Sequence, residues 1–335
     1  MGYREWIAYI LLGIVSSFIL TKTVTAWLIP KLKSIKLGQK ILDIGPRWHK
    51  NKEGTPTMGG LAFLFAFSIA FCLLAAFAIV RGDMQGENRF VPKLLFSVAM
   101  IFMSGAIGAL DDYAKFFKKQ NQGLKAFPKF IFQLIVSTGY TFGMAWVRGF
   151  STEMYIPFYG SEVDLGIFWY IISVLLITGV VNSVNLTDGI DGLASSVTFF
   201  VSCFFVLAGV IIANLGVVLL GAVIIGITLG FLVYNFYPAR IFMGDTGSLF
   251  LGGAVVAMAY MLDNPLISLV VGIIYVIEAA SVIIQVGVYK LTKKRVFKMA
   301  PIHHHFEKEK WSEIKIVIVF SLVTVVFSIL AYFGL

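Results

Sequence analysis

The sequence predicts an all-α, polytopic membrane protein that crosses the bilayer about ten times. Three observations lead there. Of 335 residues, 59% are hydrophobic and 13% charged, against about 25% charged in an ordinary soluble domain. The apolar residues fall into runs of spanning length, roughly 20 residues each. The basic residues gather in alternate connections, which is the bias that orients membrane proteins.

In chain order the runs are 6–29, 58–80, 92–110, 130–147, 166–182, 193–212, 215–234, 248–262, 265–289 and 316–334. Turn-forming residues separate the closest pairs: Asn214-Leu215-Gly216 after the sixth run and Asp263-Asn264-Pro265 after the eighth. If the spans alternate, segments 31–57, 111–129, 183–192, 235–247 and 290–315 share one side. That side holds 21 Lys and Arg, against five on the other: Arg4, Arg81, Arg89, Lys93 and Arg148. The richer side is then cytoplasmic and both termini are outside. The net charge of +9 is accounted for beside lipid headgroups, so nucleic acid is not an expected partner. No cleavable signal is expected, because the first run reaches spanning length without a small-residue cleavage site. Cys72 and Cys203 lie in apolar runs and read as packing residues. No polar segment is long enough for a soluble core, so 1–335 reads as a single integral-membrane domain.

The acidic residues locate the chemistry. Asp111 and Asp112 end an apolar run in GALDDYAKFF, Asp188 and Asp191 lie in NLTDGIDGL, and Asp245 lies in FMGDTGSL. All five fall at the cytoplasmic ends of expected spans. A lone carboxylate there could be an interfacial helix cap. Five in three loops on one face point to a site, since ionisable groups near hydrocarbon are costly and usually functional. Their repulsion calls for a cation. Mg²⁺ suits oxygen ligands and keeps room for substrate phosphates, so a phosphate-bearing substrate is expected, most plausibly a diphosphate. The glycines beside Asp188, Asp191 and Asp245 let backbone approach a ligand closely.

His303, His304 and His305 are contiguous in PIHHHFE. Catalytic zinc is poorly supported, because there is neither a His-Glu-x-x-His helix nor a cysteine partner. Imidazole donors beside Lys293, Lys294 and Arg295 suit phosphate recognition better. Loop 31–57 supplies Lys50 and Lys52 just before GTPTMGG. Either could neutralise phosphate or simply orient the chain. Glu278 and Gln285 interrupt the ninth run. Such groups usually bond a neighbouring helix, although Gln285, nearer the cytoplasmic end, could reach a ligand.

GTPTMGG at 54–60, LDDYAKF at 110–116, NLTDGIDGL at 185–193, FMGDTGSL at 242–249 and PIHHHFE at 301–307 together carry a family resemblance. The chain resembles the polyprenyl-phosphate N-acetylhexosamine-1-phosphate transferases over nearly its whole length. Within them it is most similar to the phospho-N-acetylmuramoyl-pentapeptide transferases, to which the triple histidine and GTPTMGG point. The resemblance implies transfer of phospho-N-acetylmuramoyl-pentapeptide from its UDP conjugate to undecaprenyl phosphate, giving lipid I and UMP. It implies a homodimer in the bacterial cytoplasmic membrane, working in peptidoglycan synthesis with its site facing the cytoplasm.

By motif position, Asp245 is the implied Mg²⁺ ligand. Asp111 and Asp112 are implied in activating the lipid phosphate or binding substrate. Asn185, Asp188, Gly189, Ile190 and Asp191 match the nucleotide pocket. Asn235, Phe242 and Gln285 match nucleoside-contacting positions, with Phe242 stacking on uracil. Lys52 and Lys129 match basic active-site residues, Lys52 being preferred to Lys50 for its proximity to GTPTMGG. Direct attack by the lipid phosphate and a two-step route through a phospho-aspartate both remain open, as does the choice of Asp111 or Asp112 as proton acceptor. The rival expectations are a sister transferase using UDP-N-acetylglucosamine, which shares the aspartates, and a secondary transporter. The transporter wants ionisable groups near mid-membrane rather than at one face.

Overall fold

The computed structural model describes residues 2–34, 52, 54–84, 89–118 and 123–335. The Lys50 alternative and most of loop 31–57 lie outside them. Helices α1 (Tyr3–Ser34), α2 (Leu61–Arg81), α3 (Phe90–Lys118) and α4 (Ala126–Val147) come first. A short hairpin follows, of β1 (Glu153–Ile156) and β2 (Ser161–Asp164). Then come α5 (Phe168–Thr187), α6 (Leu193–Ile211), α7 (Leu215–Asn235) and α8 (Gly244–Met261). The chain ends with α9 (Ile267–Val271), α10 (Ile273–Thr292), α11 (Ile302–Lys308) and α12 (Glu313–Tyr332).

Among the described residues nine helices are long and apolar enough to span a membrane: α1 to α7, α10 and α12. The chain is an all-α, multi-pass membrane protein. The expected span 248–262 corresponds to α8, which is absent from the nine because its first turn carries Asp245, Thr246 and Ser248. It crosses the bundle nonetheless. Asp245 lies at one end, while at the other Asp263 accepts from Lys93 at the start of α3 (2.5 Å). From Thr246 to Met261 every residue of α8 is buried, so this helix faces protein rather than lipid. The expected span 265–289 is broken at Gly272 into α9 and α10.

The junction after α6 behaves as its residues suggest. Asn214 caps α7 by accepting from the Val217 amide (3.2 Å), and its own amide donates to the Met261 carbonyl (2.8 Å). The hairpin was not anticipated. Its strands pair antiparallel, Glu153 opposite Asp164 and Ile156 opposite Ser161.

Both termini lie at one end of the bundle. Glu5 pairs with Arg81 at the end of α2. Asn264 donates to the Gly334 carbonyl (3.0 Å), and Tyr155 of the hairpin to that of Leu335 (3.0 Å). The three aspartate loops lie at the opposite end. There Lys31 sits over the Trp27 ring (3.6 Å) and Lys315 over that of Trp311 (4.1 Å). An aromatic body with a cationic tip suits a membrane–water boundary.

Candidate active site

Three elements converge on one acidic cluster. Asp111 and Asp112 come from the last turns of α3, and Asp245 from the first turn of α8. Each offers a carboxylate oxygen, and the three oxygens lie within 4.8 Å of one another. This approach depends on Gly108, one helical turn before Asp112. A Cβ there would lie 2.1 Å from the Asp245 carbonyl oxygen. A backbone strap supplies the third wall. Phe242 donates its amide to the Pro56 carbonyl (2.8 Å), while Gly59 and Gly60 donate to those of Phe242 and Met243 (both 2.9 Å). GTPTMGG is thereby tied to the start of α8.

The two neighbouring aspartates have different surroundings. Asp112 accepts from the Asp245 amide (3.2 Å), the Thr246 amide (2.9 Å) and the Thr246 hydroxyl (2.7 Å). It caps the N-terminus of α8, where a negative charge is favoured. Asp111 accepts from the Leu124 amide (2.9 Å). Lys115 reaches all three carboxylates, at 2.8 Å from Asp111, 3.3 Å from Asp112 and 2.9 Å from Asp245. Lys129 of α4 adds a second cation 2.7 Å from Asp245. The Asn185 amide donates to Asp245 (2.9 Å) and to Ser248 (2.7 Å).

Loop 188–192 joins this cluster to a second. Asp188 caps the C-terminus of α5. Burial, together with the nearby charges of Asp245, Asp112 and Asp191, pushes its carboxyl well above the usual carboxylate range. Asp191 is buried, receives Lys52 at 2.6 Å and accepts from the Ala239 amide (2.8 Å). Lys52 also reaches Glu313 at the start of α12 (2.7 Å), which in turn accepts from the Asp191 amide (2.9 Å). Ile190 is buried within the loop. Gly189 faces His303, which pairs with Glu278 of α10.

The remaining expected site residues take other partners. Asn235 donates to the Ile241 carbonyl (3.0 Å), holding the turn that precedes FMGDTGSL. Phe242 is half-buried beside the strap. Gln285 accepts from the Val296 and Phe297 amides (3.1 and 2.9 Å) and so fixes the loop after α10. The three histidines diverge. His304 pairs with Glu307 (2.6 Å), and His305 Nδ1 accepts from the Lys298 amide (3.1 Å). They do not form a common metal site. Among the described residues the aspartate trio is the group that could hold a metal.

A hard divalent cation fits that trio. The donors are all oxygen, and Lys115 already places a positive nitrogen within 3.3 Å of all three. Lys115 was missed in the sequence, although i+4 and i+3 spacing from Asp111 and Asp112 makes it their neighbour on a helix. Glu313 was also missed. It lies 261 positions from Lys52, and no local signal connects the two.

Carboxylates converging from separate loops, held by lysines at one end of a membrane-spanning bundle, agree with the wider class that sequence comparison defines. The model for glycosyl transferase family 4 matches residues 94–263. Within that class, signature 1 of the phospho-N-acetylmuramoyl-pentapeptide transferases matches residues 52–64, the segment containing Lys52 and the strap. The chain is 45% identical over 326 residues to the phospho-N-acetylmuramoyl-pentapeptide-transferase of Clostridium perfringens strain SM101, covering 97% of each chain. It is 45% identical to that of Clostridium acetobutylicum, covering 97% of this chain and 99% of the other. Identity to that of Carboxydothermus hydrogenoformans is 43%, over 92% and 93%. The chain belongs to the phospho-N-acetylmuramoyl-pentapeptide-transferase family.

Proposed function

We propose that this protein transfers phospho-N-acetylmuramoyl-pentapeptide from UDP-N-acetylmuramoyl-pentapeptide to undecaprenyl phosphate, yielding lipid I and UMP for peptidoglycan synthesis. The carrying observation is the trio Asp111, Asp112 and Asp245 within 4.8 Å, flanked by Lys115 and Lys129. Negative and positive groups stand together there, as binding a diphosphate together with a divalent cation would require. In this reading the site faces the cytoplasm of a bacterial inner membrane, which the charge bias supports and where a soluble nucleotide can meet a lipid-borne acceptor. A homodimer is the proposed assembly.

Asp245, with Asp111 and Asp112 in reach, would hold Mg²⁺, which would supply positive charge to offset that of the diphosphate and of the UMP leaving group. The chain's own groups do the rest. A phosphate monoester, with its second pKa near about 6, is already largely ionised at neutral pH. The acceptor therefore needs alignment more than a strong base, and Lys115 and Lys129 provide it electrostatically. Asp112 is committed to capping α8, which leaves Asp111 to take any residual proton. Loop 188–192 and Phe242 receive the nucleotide, and Lys52, held by Asp191 and Glu313, stands ready to neutralise phosphate.

The test is UMP release by the detergent-purified protein with undecaprenyl phosphate and Mg²⁺. Release with UDP-N-acetylmuramoyl-pentapeptide, abolished by a chelator and restored by Mg²⁺, is expected. Release with UDP-N-acetylglucosamine alone would replace this reading with the sister transferase. Glu313→Ala removes the acceptor shared by Lys52 and the Asp191 amide. Steady-state kinetics should show KM for the UDP substrate rising about tenfold, the loss expected from about 1.4 kcal/mol of binding, with kcat changing less.

A further inference from the structure

We infer that Glu278 is a positioning residue that fixes the ring of His303 and aims its second nitrogen at the nucleotide loop. The inference builds on the proposed reaction and adds a residue from the membrane-spanning part of α10. Glu278 is fully buried, in a helix whose other residues are mostly apolar. A carboxylate so placed is expensive unless a partner offsets it. That partner is His303, also fully buried, whose Nδ1 lies 3.0 Å from Glu278 Oε2. In the inferred pairing Nδ1 carries the proton and donates to Glu278 Oε2, which gives the ring one orientation.

The orientation has a direction. On the far edge of the ring, Nε2 is buried and has no hydrogen-bond partner among the described residues. It faces Gly189, where a Cβ would come within 2.1 Å of it. Glycine is therefore required for the imidazole to reach the loop. That loop carries Asp188 and Asp191, the first beside the acidic cluster and the second on Lys52. A polar atom buried without a partner is costly, and this one is held against the segment that receives the nucleotide. The His304 ring packs tilted against that of His303, with centroids 4.1 Å apart. Glu278 thus touches no substrate. It acts through His303, as a carboxylate behind a metal-bound or catalytic histidine sets that ring's tautomer.

The experiment is a double-mutant cycle of Glu278→Met and His303→Ala, read on turnover and on UDP binding. Histidine-selective ¹⁵N spectra accompany it, tractable with four histidines in the chain. Glu278→Met should lower turnover about 100-fold and weaken UDP binding. Glu278→Gln, which keeps an acceptor oxygen, should recover about tenfold of that loss. In the His303→Ala background Glu278→Met should cost less than about threefold, since the two residues act as one unit. The His303 Nδ1–H signal should be present in the unaltered protein and shift in Glu278→Met. Should Glu278→Met fail to fold, Glu278→Gln takes its place in the cycle with a tenfold loss expected. Equal losses in both backgrounds, or a His303 signal unmoved by the substitution, would overturn the inference. Absence of turnover in the unaltered protein would instead refute the proposed reaction, leaving UDP binding and the ¹⁵N spectrum to judge the pairing.

Discussion

Asp245→Asn should reduce transfer at least a thousandfold while leaving the protein folded. The carboxylate takes Lys115 at 2.9 Å, Lys129 at 2.7 Å and the Asn185 amide at 2.9 Å. Asparagine keeps the shape and one acceptor oxygen but loses the charge. Two lysines then face a site with one fewer anion, and a divalent cation would lose one of the three proposed carboxylate ligands. A thousandfold corresponds to about 4 kcal/mol of transition-state stabilisation, the scale of removing a charged group aimed at developing charge. The partly exposed position of Asp245 limits the cost to stability, so the melting temperature should move by only a few degrees. The comparison that decides is Mn²⁺ binding followed by electron paramagnetic resonance. Binding should be strong in the unaltered protein and lost in Asp245→Asn. Retained metal binding with lost turnover would move the ligand role to Asp111 and Asp112. Retained turnover would remove Asp245 from the chemistry altogether.

Much of this site was legible in the sequence, for an electrostatic reason. In a chain this apolar, carboxylates at span ends are conspicuous, because each must be offset by a partner. Asp111, Asp112 and Asp245 could therefore be placed at one membrane face before any geometry was known. The partners were less legible. Lys115 is readable only if α3 continues as a helix past Asp112, and the apolar run had ended at Leu110. Glu278 was visible as an oddity in its span, but His303 lies 25 positions away and on another element. Glu313 looks like an ordinary residue of a helix's first turn, where negative charge is favoured anyway. Among the elements, α8 was placed correctly by its apolar residues but is polar at its start, because it is both a core helix and a wall of the site. The 265–289 run concealed a break at Gly272, since hydropathy does not register a kink that keeps the chain apolar. The hairpin 153–164 escaped because each strand is four residues long, too short for alternation to stand out.

Gly108→Ala should disable the protein by a route that touches no functional side chain. The added Cβ would lie 2.1 Å from the Asp245 carbonyl oxygen, 2.4 Å from its carbonyl carbon and 2.6 Å from the Thr246 nitrogen. All three are backbone atoms, so no side-chain rotation relieves the contact. Helices α3 and α8 must separate, although α8 is buried along almost its whole length. Overpacking of this kind costs about 3 kcal/mol. Separation also draws the Asp245 backbone away from Asp112, whose bonds to the Asp245 and Thr246 amides hold the cluster together. Activity should fall about 100-fold, and the melting temperature in detergent should fall clearly below that of the unaltered protein. Gly139→Ala on α4 is the matched control, since a Cβ there meets nothing within 4 Å. It should be neutral or stabilising by up to about 1 kcal/mol from helix propensity. If both substitutions behave alike, the close approach of α3 to α8 does not set the geometry of the aspartates. If Gly108→Ala keeps its melting temperature but loses activity, the spacing of the carboxylates, rather than the packing of the bundle, is what this glycine protects.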